Sequence, residues 1–215
     1  MIIAVDGPAA AGKGTLARRL AGHYRLAHLD TGKLYRATAL EALLAGADPA
    51  DPVAATAAAG RVTPALLGDQ RLTEEKIAQA SSVVAAIPGV RAALLAFQRD
   101  FARTPPGGFR GAVLDGRDIG TVVCPDADAK LYVQASPEAR ARRRFKELRE
   151  AGVEAIYERV LQDMKDRDAR DSQRQTAPLR PADDAFVLDT TALDAEAAFA
   201  AAITYIDGKV AGKSL

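Results

Sequence analysis

The strongest constraint on the fold is a glycine-rich loop between an apolar run and a helical pattern. The run Ile2–Val5 lacks polar alternation, which is typical of a strand buried on both faces. The sequence GPAAAGKGT follows at positions 7–15, and Leu16 and Leu20 then recur at helical spacing. Glycines let such a loop curl until its N–H groups point into one concavity, where the helix adds its positive dipole end. The order strand, loop, helix therefore predicts a phosphate-binding loop.

The remaining apolar runs predict an α/β fold. Further strands are predicted at Ala27–Asp30, Ala112–Asp115, Lys130–Val133 and Ala185–Asp189. Helical patterns alternate with the strands at Leu16–Tyr24, Lys33–Ala45, Pro88–Arg103, Glu138–Glu150, Val153–Asp168 and Asp194–Val210. Because alternating strands and helices pack as crossover units, we predict a five-stranded parallel sheet with helices on both faces.

Residues 46–81 depart from this alternation. The stretch is rich in glycine and proline, its hydrophobic patterning is weak, and only short elements such as Arg61–Thr63 are indicated. We therefore expect an insertion or a small subdomain at this place in the chain.

Composition and charge exclude several functional classes. The 29 lysines and arginines nearly balance the 28 acidic residues, so a net charge of +1 gives no general attraction to nucleic acid or to an anionic membrane. One cysteine and two histidines are too few for a disulfide framework or for a metal site built from these residues. No apolar run reaches the roughly 18–20 residues that a membrane helix needs. We expect a reduced, cytoplasmic protein.

The phosphate loop (residues 7–15) departs at one position from the commonest form of its motif. Lys13 supplies the mobile charge expected at the β- and γ-phosphates. Gly14, however, stands where a hydroxyl normally holds Mg²⁺, and Thr15 follows one residue later. This G-K-G-T variant is similar to the loop of nucleoside monophosphate kinases. The sequence contains no asparagine, so the guanine-reading N-K-x-D motif of GTPases is absent from it.

Three further polar clusters follow predicted strands or lie on a predicted helix: Asp30–Arg36, Asp115–Thr121 and Arg167–Arg174. Ligands gather beyond the carboxyl ends of strands in open α/β sheets, so the first two clusters are candidate ligand contacts. In the third, arginines 167, 170 and 174 share one helical face with Asp171, where they would neutralise charge during phosphoryl transfer. Each cluster also has a plain structural explanation: a capped helix with a surface arginine, a loop with an internal ion pair, and a solvated face with salt bridges.

Four motifs taken together resemble those of bacterial cytidylate kinases. In chain order they are D-G-P-x-x-x-G-K-G-T, L-D-T-G-x-x-Y-R, D-G-R-D-I-G-T-V-V-x-P-D-A and R-D-x-R-D-x-x-R-x-x-A-P-L, and the match extends from Ile2 to about Asp189. The resemblance implies transfer of the γ-phosphoryl group of ATP to CMP or dCMP, with Mg²⁺. It also implies a P-loop kinase core at residues 1–45 and 82–215, an inserted monophosphate-binding subdomain at 46–81, and a short lid at about 150–158.

The resemblance assigns roles to residues at matching motif positions. ATP binding falls to the whole phosphate loop, which consists of Gly7, Pro8, Ala9, Ala10, Ala11, Gly12, Lys13, Gly14 and Thr15. CMP binding falls to Thr31, Arg36, Ser82, Arg91, Arg117, Asp118, Asp171 and Arg174. The catalytic groups implied are Lys13, Arg117, Arg167 and Arg174. Mg²⁺ is expected at Thr15 and Asp115.

Some positions depart from the family pattern or leave a choice. Thr31 replaces a serine that is common in the family, and Lys33 stands where a small or apolar residue is also common. Ser81 and Ser82 are adjacent, so the serine assignment can shift by one residue.

Three alternatives to a cytidylate kinase stay open at this point. The first is another small P-loop kinase, acting on adenylate, uridylate or shikimate. The second is a non-catalytic nucleotide-binding regulator, which has little need of the arginines at 167–174. The third is nucleic-acid binding, which the net charge of +1 and the lack of interleaved aromatic and basic residues disfavour. We expect a monomer that acts on small-molecule nucleotides.

Overall fold

The computed structural model describes residues 1–212, with a five-stranded parallel sheet at the centre of the fold. The strands are β1 (Ile2–Asp6), β2 (Ala27–Asp30), β3 (Ala112–Gly116), β4 (Ala129–Gln134) and β5 (Phe186–Asp189). Their order across the sheet is β2-β3-β1-β4-β5. Strand β1 pairs in parallel with β3 and β4, and β4 pairs in parallel with β5. The predicted fold class is confirmed, and every strand boundary lies within one residue of the predicted one.

Strand β1 is covered on both faces, as its sequence indicates. Ile3, Ala4 and Val5 are all fully buried, and successive side chains of a strand point to opposite faces. On one face the core is formed by residues of the sheet with helices α1 (Lys13–Tyr24) and α8 (Ala195–Ala211). The contiguous run of apolar residues is therefore required by burial on both sides of the sheet.

Two further helices, α6 (Pro137–Glu150) and α7 (Tyr157–Gln173), pack against each other and are joined by a short connection. The sequence placed the second of these at Val153–Asp168, which is wrong at both ends. Gly152 adopts φ +74°, and the N–H of Val153 donates to the carbonyl of Leu148, so the chain turns at the end of α6 before α7 can begin. The helix then continues through most of the arginine-rich cluster at 167–174.

The chain divides into two compact units. The larger unit contains Met1–Leu29 and the segment that begins at Ala102, and the smaller unit is Asp30–Phe101. In the smaller unit, α2 (Gly32–Leu44) packs against α3 (Pro52–Ala59) and α4 (Glu75–Val84), and α5 (Pro88–Arg103) follows. This unit is wider than the predicted insertion at 46–81, because α2 buries its apolar face against α3 and α4.

Helices α3 and α4 lie in the stretch that the sequence patterning left unassigned. Helix α3 is mostly alanine, and its start is defined by Asp51, whose side chain accepts hydrogen bonds from the N–H groups of Val53 and Ala54. Helix α4 buries Ser81 and Ser82 beside its apolar residues, which weakens the helical pattern. The short element predicted at Arg61–Thr63 is wrong, since these residues belong to neither a helix nor a strand.

The helices are modest in length. Helices α7 and α8 have 17 residues each. Among residues 1–212, no single helix is both long and apolar enough to cross a membrane. The segments Glu75–Val84 and Pro88–Gly108, which are bent by 101° relative to each other, reach that length and apolar content only when they are taken together.

Gly7 yields a test of the close approach between the phosphate loop and β4. Gly7 has φ +150°, and a Cβ atom there would overlap the carbonyl oxygen of Val133. We expect Gly7→Ala to lower the free energy of unfolding by about 3 kcal/mol, because backbone strain adds to a clash with backbone that cannot move aside. Urea denaturation followed by circular dichroism measures this change.

Gly22→Ala is the matched control. A Cβ atom at Gly22, on the exposed side of α1, meets nothing within 4 Å. We expect this variant to gain up to about 1 kcal/mol from helix propensity. Equal effects of the two substitutions would contradict the close approach at Gly7.

Candidate active site

The phosphate loop joins β1 to α1, and three of its carbonyl groups are held by side chains. The Nζ of Lys13 donates to the carbonyl of Pro8 at 3.2 Å. Arg140 donates to the carbonyl of Ala9 at 3.3 Å, and the Thr190 hydroxyl donates to that of Ala11 at 2.9 Å. These contacts come from α1, from α6 and from the end of β5, so the loop is supported along its whole length.

Helix α1 begins at the end of this loop in a form suited to an anion. Its N-cap is Gly12, which has φ +88° and provides no side-chain cap, and its first turn contains no acidic residue. The first-turn N–H groups of a helix have no partner within the helix, and they carry the positive end of its dipole. A phosphate group at this position would supply the missing acceptor.

Asp115 lies beside the first turn of α1. It is the penultimate residue of β3, opposite Val5 of β1 in the register, and is almost fully buried. One carboxylate oxygen lies 2.8 Å from Nε2 of His28, and the other lies 3.6 Å from the position that a Cβ of Gly14 would occupy. A Cβ atom at Gly14 would be in ordinary van der Waals contact with this oxygen, so the carboxylate lies directly against the loop. Sequence analysis missed His28, whose only signal was its place in the predicted second strand.

Asp6 is a second buried carboxylate that sequence analysis passed over. It accepts hydrogen bonds from the N–H groups of Ile119 and Gly120, both at 2.7 Å, and thereby fixes the π-helical turn Ile119–Val123 to the end of β1. Burial raises the pKa of Asp6 to about 7, and the nearby charge of Asp118 adds to this, while the two N–H donors oppose it. This turn follows directly on the Gly-Arg-Asp sequence at 116–118.

Four of the predicted site residues form one buried cluster. Arg117 donates from Nε to Asp171 at 2.9 Å. Arg174 lies 3.7 Å from Asp118 and 4.0 Å from Asp171, and its side chain is only 4% exposed. The Gly-Arg-Asp turn and the C-terminal part of α7 therefore meet, although they are more than 50 residues apart in sequence. At Asp171 and Arg174 this burial excludes the interpretation as a solvated helical face.

The charges of this cluster are mutually compensating. Burial alone would raise the pKa of Asp171, but the positive charges of Arg117, Arg167 and Arg174 outweigh it and hold the pKa below its ordinary value. The carboxylate is therefore ionised at neutral pH, and it keeps the arginines ordered in a site of low solvent access.

Arg167 lies on α7 in the larger unit, whereas the remaining residues predicted to bind CMP lie in the smaller unit. Thr31 precedes α2 and is buried, and Arg36 is half-buried on that helix. Ser82 is buried on α4, whereas the hydroxyl of its neighbour Ser81 donates to the carbonyl of Ala78 within the helix.

Arg91 connects two helices of the smaller unit. It is only 8% exposed, donates to the carbonyl of Ala85 at 3.2 Å, and places its guanidinium 5.4 Å from the centroid of the Tyr35 ring. Tyr35 belongs to α2, which also carries Arg36. Tyr35 was not singled out in the sequence, although it lies in the L-D-T-G-x-x-Y-R motif.

Removal of the Asp171 charge tests the compensation within the buried cluster. We expect Asp171→Asn to lower the free energy of unfolding at pH 7 by about 3 kcal/mol, because buried arginines lose their counter-charge. A carboxylate with a lowered pKa contributes stability above its unfolded pKa of 3.8 and loses it as the pH falls through the folded value. The difference between wild type and variant is therefore constant from pH 8 to 5 and shrinks below about pH 4.

Asp163→Asn provides the control on the same helix. Asp163 is exposed on α7, and we expect its substitution to change stability by less than about 0.5 kcal/mol. Urea denaturation across the pH series distinguishes the two. An Asp171→Asn variant as stable as the control would contradict the compensation described above.

Comparisons with known proteins identify the family of this chain. The family model for cytidylate kinase matches residues 3–208. A cytidylate kinase of Paramagnetospirillum magneticum is 61% identical over 97% of this chain and 98% of its own length, and one of Rhodospirillum rubrum is 58% identical over the same shares of the two chains. The crystal structure of an uncharacterized protein from Eubacterium ventriosum, 14% identical, superposes with a TM-score of 0.55 over 97% of this chain and 98% of that one, which shows the fold alone. The chain belongs to the cytidylate kinase family.

Proposed function

We propose a residue-level account of the reaction of this enzyme, the ATP-dependent phosphorylation of CMP and dCMP to CDP and dCDP. The observation that carries the account is the pairing, in the larger unit, of an uncapped helix start behind a glycine-rich loop with a buried cluster of arginines. Phosphoryl transfer brings two polyanions together, so catalysis depends chiefly on positive charge and on positioning.

The phosphate loop binds ATP in this account, through residues 7–15. Its N–H groups and the dipole of α1 receive the β- and γ-phosphates. Lys13, whose Nζ contacts the Pro8 carbonyl in this structure, provides the mobile charge. The contacts to the carbonyls of Ala9 and Ala11 keep the loop in one conformation, which lowers the cost of ordering it when ATP binds.

Three arginines act on the transferred group: Arg117, Arg167 and Arg174. An oxygen of the CMP phosphate attacks the γ-phosphorus in line, and the bond from that phosphorus to the oxygen bridging to the β-phosphate breaks. The arginines neutralise the charge that develops during this step. The attacking oxygen is already ionised at neutral pH, so no general base is required. Lys13 stabilises the leaving ADP.

The residues present fit Mg²⁺ bound largely by the phosphates of ATP. Within residues 1–212 there is no cluster of three or more His, Cys, Asp or Glu side chains that could enclose a metal ion. Mg²⁺ in kinases keeps several waters and takes few protein ligands, all of them oxygens. Asp115 and the hydroxyl of Thr15 would provide such oxygens at the loop, and the bound ion would neutralise charge on the β- and γ-phosphates.

We assign contacts with CMP to polar side chains within each unit, and each set is described by itself. From the smaller unit, Thr31 and Arg36 would contact the phosphate end, and Ser82 and Arg91 would contact cytosine. From the larger unit come Arg117 and Arg174 for the phosphate, Asp118 for the base and Asp171 for the sugar. Burial supports the roles of these residues other than Arg36 and Arg117, because a buried polar group discriminates strongly against a ligand that leaves it without a partner.

The smaller unit corresponds to the inserted monophosphate-binding subdomain, and residues 150–158 correspond to the lid. The segment between α6 and α7 supports the second assignment, since Gly152 has φ +74° and the side chains of Val153 and Ile156 are exposed. Closure of such a segment over ATP would exclude water from the γ-phosphate.

The setting of the reaction is also part of the proposal. The enzyme acts as a monomer in the cytoplasm on free nucleotides, without binding nucleic acid or membrane. A net charge of +1 supports the absence of nucleic-acid and membrane binding, because it gives the protein no general attraction to polyanionic surfaces. Sedimentation velocity with and without nucleotides would test the monomer.

A nucleotide panel tests the function as a whole. ADP release from MgATP is measured with CMP, dCMP, UMP, AMP and GMP offered separately. We expect strong turnover with CMP and dCMP and weak turnover with the others. Preference for a different monophosphate would overturn the base-contacting roles of Ser82, Arg91 and Asp118, and absence of turnover with all five would overturn the kinase activity.

Lys13 tests the role of the phosphate loop. We expect Lys13→Ala to lower kcat by at least about 1,000-fold, because the charge on the transferred and leaving phosphates loses its stabilisation. Lys209→Ala, on the exposed side of α8, is the control and should keep kcat within twofold. Steady-state kinetics with CMP measures both, and near-normal turnover of Lys13→Ala would disprove its assignment.

The adjacent serines of α4 provide a matched pair for the cytosine site. We expect Ser82→Ala to raise the KM for CMP about fivefold, which is the loss of one hydrogen bond. Ser81→Ala removes a hydroxyl bonded within its own helix and should leave the KM for CMP unchanged. The reverse outcome would move the assignment from Ser82 to Ser81.

A further inference from the structure

Arg140 is a buried charge for which the account above uses only the contact to the Ala9 carbonyl. Helix α6 contains four arginines within five positions, at 140, 142, 143 and 144. The structure separates them: Arg142 is exposed, whereas the side chain of Arg140 is only 4% exposed. A buried guanidinium requires acceptors on most of its N–H groups, so its partners show what it holds together.

The guanidinium of Arg140 bridges three segments of the larger unit. Its Nε donates to the carbonyl of Ala135, directly after β4, at 2.9 Å. Its Nη1 donates to the carbonyl of Ala9 in the phosphate loop at 3.3 Å. Nη1 and Nη2 also donate to the two carboxylate oxygens of Asp168 on α7, at 3.2 and 2.6 Å. A planar fork suits this arrangement, and a lysine ammonium could not reproduce it.

Asp168 is placed so that its contact acts on the arginines of α7. It is adjacent to Arg167 and lies one helical turn before Asp171, which carries the ion pair to Arg117. Because a helix is a stiff element, fixing Asp168 against Arg140 also fixes the positions of Arg167 and Asp171. The same guanidinium holds the loop that is assigned to ATP.

Apolar packing reinforces this connection. Ala9 and Ala10 of the phosphate loop pack against a cluster formed between α6 and α7 by Ala141, Leu148, Val160 and Met164. The loop and the helical pair are therefore in direct contact, and a shift of α7 changes the surface on which the loop rests.

We propose that Arg140 is a positioning residue that couples the phosphate loop to α7. It aligns the arginines of α7 with the phosphates of ATP, through Asp168 on one side and the Ala9 carbonyl on the other. This inference rests on the proposed roles of the phosphate loop and of Arg167 and Arg174. It goes beyond them, because it assigns the alignment of the two to a residue for which the proposed function gives no nucleotide contact.

Two substitutions separate the two halves of this coupling. Asp168→Asn weakens the contact to α7 but leaves Arg140 its contact to Ala9, so we expect kcat to fall at least tenfold while the Kd for ADP stays within threefold. Arg140→Met removes both contacts, so we expect a similar fall in kcat and at least a tenfold rise in the Kd for ADP. Steady-state kinetics and calorimetry, performed well below the Tm of each variant, supply the two readouts.

The double variant and two further variants sharpen the test. If Arg140 and Asp168 act through one contact, the double variant has the kcat of Arg140→Met within twofold. Arg140→Lys keeps the charge without the fork, so it should regain stability and part of the ADP affinity but not kcat. This variant also serves if Arg140→Met fails to fold. Arg142→Met, on the exposed side of α6, is the control and should match wild type.

Three outcomes would overturn the coupling. One is a lowered Tm with kcat and the Kd for ADP within twofold of wild type in both single variants, which indicates a structural role only. Another is additive losses of kcat in the double variant, and the third is full recovery of kcat by Arg140→Lys. A failure of the proposed function is recognised separately, since wild type would then release no ADP, or Arg167→Met would keep its kcat.

Discussion

The backbone of Gly7 passes so close to the carbonyl of Val133 that no side chain fits between them. This approach sets the course of the phosphate loop from β1 across the end of β4 toward the segment after β5. The loop thereby comes within reach of Arg140, which follows β4, and of Thr190, which follows β5. The sheet order β1-β4-β5 thus provides the supports of the loop in sequence, each from the carboxyl end of a strand.

The supports of the loop are also hydrogen-bonded to one another through Thr190. The hydroxyl of Thr190 contacts the carbonyl oxygens of Ala11 and Gln134. The guanidinium of Arg143 on α6 donates to the same hydroxyl and also to the backbone carbonyl oxygen of Thr190. Helix α6 therefore reaches the loop twice, directly through Arg140 and through Thr190. A loop held in this manner presents fixed dipoles to a phosphate, and fixed dipoles need little rearrangement when charge develops during a reaction.

Local patterns predicted much of the fold. The five strands and the phosphate loop were found because burial on both faces and a glycine-rich turn leave marks within a few residues. Helix α3 was not predicted from the sequence, because its alanines define no apolar face. The limits of α7 were predicted wrongly, because the turn at Gly152 was not recognised. The pairings of Asp115 with His28 and of Asp6 with Gly120 join residues 87 and 114 positions apart, and no local pattern reports such a contact.

The start of α1 has no side-chain cap, so binding of a ligand there would raise the free energy of unfolding. A ligand that binds only the folded state stabilises it by an amount that grows with the logarithm of its concentration, and at one hundred times the Kd this is about 2.7 kcal/mol. In the binding mode proposed above, a phosphate of ATP at Gly12 completes a helix end that the chain leaves without a side-chain cap. The nucleotide-free protein is accordingly the form most susceptible to unfolding and proteolysis. A high nucleotide concentration in the cell, which keeps the loop occupied, therefore slows degradation of the enzyme that uses the nucleotide.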